Sequence, residues 1–133
     1  MPSKPIARPA KPVSITEGFK KINALINRTP IYKGNGDGFL SLADYRDGGI
    51  FLAHYAGNSE WERHSKGDEM VVVVEGETTL ILLHNGEEIG HSMSQGMLLV
   101  VPQNMWHRFE SPQLVKIMTI TPQPTDHSVK KPS

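Results

Sequence analysis

The chain has 133 residues, enough for one domain with a buried core. Hydrophobic residues make up 38%, charged residues 21% and cysteine none, which excludes global disorder, a disulfide scaffold, a thiolate zinc site, an iron–sulfur cluster and a cysteine nucleophile. Net charge is zero but segregated: residues 1–33 carry seven Lys/Arg and one acid, the remainder seven Lys/Arg and thirteen acids, and an acidic body argues against a nucleic-acid partner.

Residues 1–13 contain Pro2, Pro5, Pro9 and Pro12 among Lys and Arg, which predicts an extended, solvated basic arm. Ser14 with Glu17 three residues on forms a capping box. Ile15, Phe19, Ile22 and Ile26 then fall on one helical stripe, predicting an amphipathic helix over 15–27 within a segment 14–30 that closes at Pro30. Its polar face holds few cations and no tryptophan, so it is not read as a membrane-surface helix. No apolar run approaches the ~18 residues of a membrane span. The N-terminus lacks the apolar centre of a signal peptide, so the cytoplasm is the expected location.

The pattern changes from Phe39 onward. Short apolar runs over 39–45, 50–55, 60–64, 69–74, 78–83, 97–101, 107–110 and 114–121 alternate with Gly, Asn, Asp and Pro. Many short β-branched runs at close spacing predict an all-β sandwich or barrel spanning 31–122. Asn85-Gly86 marks a hairpin, and 123–133 reads as an irregular tail. Lys33 to Asp44 partly matches a calcium-binding EF-hand loop, but Lys33 puts a cation where the first carboxylate belongs. Asn35 and the repeated glycines are what a tight turn needs.

The chemistry concentrates between Trp61 and Gly76. Glu62 and His64 are two apart, so in a strand they share a face with backbone sites about 6.6 Å apart. Gly67-Asp68 turns the chain and Glu69 opens the next strand beside His64. Gly96, Pro102, Asn104 and His107 form a second turn whose return strand begins at His107. Two imidazoles and one or two carboxylates suit one divalent ion, Fe, Mn, Zn, Ni or Co, and leave open positions for a ligand. Without a cation, Glu62 and Glu69 should repel, and one should have a raised pKa.

These two segments resemble the paired motifs of the cupin superfamily. The first motif, G-x5-H-x-H-x(3–4)-E-x6-G, is matched by His64-x4-Glu69-x6-Gly76, with Ala56 at the leading glycine and Gly57 beside it. The second, G-x5-P-x-G-x2-H-x3-N, is matched by Gly96-x5-Pro102-x-Asn104-x2-His107, with Asn104 for glycine and Ser111 for the final Asn. The resemblance covers about residues 40–121. It implies a double-stranded β-helix, or jelly-roll barrel, with the short N-terminal helix and the arm as additions. It also implies metal ligation by His64, Glu69 and His107. Glu62 replaces the first histidine of the H-x-H pair and is a candidate fourth ligand or general base, so Glu62 and Glu69 are the candidate catalytic carboxylates. The fold further implies a small-molecule ligand and a homodimer joined at sheet edges. The expected activity is a metal-dependent enzyme, such as a dioxygenase or isomerase, acting on a small carboxylate, sugar derivative or enol. A non-catalytic binding or sensing module and a metal-free sugar isomerase or epimerase are the alternatives.

Overall fold

In the computed structural model, residues 10–133 are described, so most of the basic arm lies outside the described residues. Ser14 caps helix α1 (Ile15–Lys20), its Oγ accepting from the Glu17 amide at 3.0 Å. Ten strands follow: β1 (Leu25–Arg28), β2 (Phe39–Tyr45), β3 (Gly48–Asn58), β4 (Trp61–His64), β5 (Glu69–Glu75), β6 (Glu77–His84), β7 (Glu87–Ser94), β8 (Leu98–Val101), β9 (His107–Pro122) and β10 (Thr125–Ser128). They form one connected sheet closed into a jelly-roll barrel. β9 is its spine. It pairs β3 and β5 along its C-terminal half and β4 and β6 along its N-terminal half.

Alternation explains what faces in. Glu69, Val71 and Val73 of β5 are all buried, as are His107, Phe109 and Ser111, then Val115 and Ile117, of β9. With Tyr55, Leu80, Met93 and Val101 the apolar members make the main core. β3 is buried on both faces. Tyr55 belongs to the barrel core, while Leu52 packs against Phe19 and Ile22 of the N-terminal segment. That second cluster is how the short helix, marginal alone, is held on the body.

The structure corrects several expectations. The helix stops at Lys20 rather than Asn27, and Leu25–Arg28 is a strand pairing parallel to β3. Tertiary pairing overrides the stripe here: Ile22 is buried, but Ile26 is exposed. The tail is not irregular, because β10 pairs with β4 in register Thr125↔His64. β7 escapes hydrophobic patterning because nearly all of it is exposed. The segments 107–110 and 114–121 are one strand running through Pro112. The turn reading of 33–38 holds: Asn35 Oδ1 accepts from the Asp37 amide at 3.0 Å and from the Tyr32 hydroxyl at 2.8 Å. Among the described residues no helix is long and apolar enough to cross a membrane.

Candidate metal centre and cavity

Two turns bring the site together. Asn104 adopts a positive φ of 68°, which asparagine tolerates, and its amide donates to the His64 carbonyl at 2.9 Å. Its neighbour Gln103 binds Asp68 Oδ1 through its amide at 2.8 Å and the Ser65 carbonyl through its side chain at 2.7 Å. The loop after β4 and the loop before β9 are thus bolted to each other, with His64 and His107 at their ends.

The result is a tight cluster. Glu69 Oε1 lies 3.0 Å from His107 Nε2, and Glu69 Oε2 lies 3.3 Å from His64 Nε2. The two imidazole centroids are 5.2 Å apart, and one ligand atom from each of the three residues lies within 4.8 Å of the others. All three side chains are buried. The outer faces are held: His107 Nδ1 sits 3.0 Å from the Met105 carbonyl, and His64 Nδ1 sits 3.0 Å from Thr125 Oγ1. A carbonyl can only accept, and the Thr125 hydroxyl already donates to Gln123. The network therefore assigns the proton to Nδ1 of both rings and turns both Nε2 atoms inward. Thr121 donates to Glu69 Oε2 at 2.7 Å.

Despite these short distances, His64 Nε2, His107 Nε2 and Glu69 Oε1 have no hydrogen-bond partner. They face one another without the alignment a hydrogen bond needs. A buried polar atom left unpaired costs about 1–3 kcal/mol, and three converging on one point form a donor set that a cation satisfies. The residues therefore fit a divalent ion. Without one, Glu69 is not raised as like-charge repulsion would demand. Burial pushes its carboxyl up, but the facing His107 and His64 outweigh that and hold it at about 2. Burial likewise lowers His107, yet the adjacent carboxylate wins and raises it.

Glu62 is placed differently. It lies directly across the ladder from His107 but outside the cluster of ligand atoms. It lines a cavity of about 370 Å³ that His64 and Glu69 also line. Its Oε2 is 3.7 Å from Nδ1 of His127, whose closer contact is Glu60 at 2.7 Å.

A family model for the cupin domain matches residues 51–121. The chain belongs to the cupin domain family. Its fold is similar to a cupin-2 domain containing protein from Shewanella frigidimarina, at 21% identity, TM-score 0.62, covering 84% of this chain and 94% of that one. It is also similar to hydroquinone 1,2-dioxygenase PnpCD in complex with Cd2+ and 4-hydroxybenzonitrile, at 19% identity, TM-score 0.52, covering 57% and 58%. A third likeness is the Drosophila melanogaster CENP-C cupin domain, at 11% identity, TM-score 0.57, covering 68% and 72%. No curated protein sequence matches the chain.

Several residues of this cupin's cavity were not legible in its sequence. Thr121 and Thr125 carry no motif, and Thr125 lay in the tail read as irregular. Arg28 and Tyr55 also line the cavity, Arg28 from a segment read as helix. The other histidines stand apart from the cluster: His54 is half-buried, while His84 and His91 are exposed. Trp61 is buried and is not part of the cavity wall.

Proposed function

We propose that this cupin is a metal-dependent enzyme acting on a small polar molecule, a carboxylate, sugar derivative or enol, bound in the cavity beside His64, Glu69 and His107. The observation that supports it is the convergence of three buried ligand atoms that lack any hydrogen-bond partner. The ion, when bound, supplies Lewis-acid polarisation of a substrate oxygen and, in the case of iron, dioxygen chemistry. Glu69 and the inward Nε2 atoms of His64 and His107 hold it. Met105, Thr121 and Thr125 fix their orientation. Glu62, in the cavity wall but outside the cluster, takes a proton from the substrate as general base. Phe39, Phe51, Phe109 and Ile117 wall the cavity with apolar surface and limit water. The likeness to a dioxygenase solved with Cd2+ supports the reading at the level of fold.

Elemental analysis of protein purified without chelator tests it. One divalent ion per chain is expected, and His107→Ala should weaken its retention by at least about tenfold, measured by competition with a chelator. Protein free of metal that catalyses proton exchange on a sugar would instead support the second reading, a metal-free isomerase. The close His107–Glu69 pair favours that alternative. We also propose a homodimer through the barrel's open edges. Among the described residues β8 pairs only with β5, and it presents Leu98 and Val100 to solvent with Met97 beside them.

A further inference from the structure

We propose that Arg28 is the anion-binding residue of the cavity, and that the substrate is a small monocarboxylate with an apolar body whose carboxylate pairs with the Arg28 guanidinium. This deepens the function proposed above and rests on it for the reaction, though not for the binding.

Arg28 lines the same cavity as Glu62, His64 and Glu69. Its guanidinium carbon lies 4.5 Å from the Tyr55 ring centroid and 4.9 Å from that of Phe39. Those two rings are themselves stacked with centroids 6.1 Å apart. A cation held against aromatic faces is fixed in place while its in-plane N–H donors stay available. Two other arginines of the barrel, both outside this cavity, are paired: Arg63 binds Asp126, and Arg108 binds Glu88 and Glu110. Among the described residues no carboxylate lies within ion-pair distance of Arg28. Glu62, in the same wall, does not reach it.

Placement of Arg28 is built into the backbone. β1 is four residues long and pairs parallel to β3 with Arg28 opposite Gly57. Gly57 has φ of +114°, and a Cβ there would come within 2.2 Å of the Arg28 carbonyl oxygen. Only glycine allows the strand to lie so close. Beside the guanidinium, the Tyr55 hydroxyl is buried without a hydrogen-bond partner. Burial pushes its phenol to about 12, so it remains a neutral donor.

Charge and shape agree. Among the described residues, Arg28 is the one arginine or lysine of the cavity wall, a single fixed positive charge matched by a monoanion. Phe39, Phe51, Phe109 and Ile117 give the wall the apolar surface that an apolar body matches, beside the polar Ser41, Thr119, Thr121 and Gln123.

The test is calorimetric titration with benzoate and hexanoate against their neutral isosteres benzamide and hexanamide. It uses wild-type protein, Arg28→Gln and Arg28→Lys, each loaded with Zn2+ and each stripped of metal. At least one carboxylate should bind wild-type protein about tenfold or more tighter than its amide. Arg28→Gln should erase that preference with Zn2+ content and melting temperature retained, and Arg28→Lys should keep part of it. Equal binding of acid and amide overturns the inference, as does no binding of either acid. Carboxylate binding that survives Arg28→Gln but disappears with the metal overturns it too, because the anion then sits on the ion. Failure to retain metal in the same samples counts against the function proposed above and leaves an Arg28-dependent preference standing.

Discussion

Glu69 sits at the inner end of β5, where burial and two imidazoles pull its ionisation in opposite directions. The imidazoles win, so in the metal-free protein this carboxylate and a protonated His107 support each other. Glu69, depressed from 4.5 to about 2, contributes stability that is present above pH 4.5 and is lost as pH falls toward 2. His107, raised above 6.5, contributes stability that is complete below pH 6.5 and is lost as pH rises through its raised value. Metal-free protein should therefore draw most from this pair between about pH 4.5 and 6.5. Thermal melts across pH, made after chelation, should show that window for wild-type protein and a flatter profile for Glu69→Gln. Identical profiles would refute it. Glu69 is not a raised carboxyl, because the chain folds two imidazoles directly onto it.

Among the elements, β1 and β10 matter beyond their length. Each has four residues, and each was read from sequence as something else. β10 brings Thr125 against His64, and β1 brings Arg28 into the cavity wall. Both are held mainly by backbone pairing, β1 to the longer β3 and β10 to the equally short β4, so neither needs the apolar alternation that pattern reading detects. For β1 the critical neighbour is Gly57. Gly57→Ala meets both a disallowed φ and the Arg28 backbone, and should cost more than about 2 kcal/mol in denaturant unfolding. Gly86→Ala, at φ +79° with open space around it, should cost about 1 kcal/mol. If the two substitutions prove equally costly, the close approach of β1 is not what Gly57 serves.

For the whole molecule, among the described residues β7 and β8, like β1, β2 and β10, each pair with a single strand. Exposed Leu98 and Val100 make β8 the more apolar edge, and Ile89 adds to β7. α1, through Phe19, and Ile22 just after it cover β3 and β2 of their own chain, so the helix is not available to cover β8. Light scattering after size exclusion should give a dimer at micromolar concentration. The paired substitution Leu98→Lys with Val100→Lys should shift it to monomer without loss of metal. A wild-type monomer would remove the dimer from consideration.

The sequence by itself determined the barrel and the motif residues. Strand alternation and Gly-, Asn- and Pro-marked turns are local signals, and the spacing of His64, Glu69 and His107 is tied to those turns. Position 104 shows the same: asparagine occupies a left-handed turn conformation there, as its residue type allows. What only the tertiary structure decided is where short, weakly patterned segments dock. Ile26 looks like part of a helical stripe until pairing with β3 turns it outward. Arg28 looks like a solvated cation until two aromatic rings and a glycine seat it in the cavity. Those outcomes depend on partners from 11 to about 30 residues away in the chain, and no local period records them.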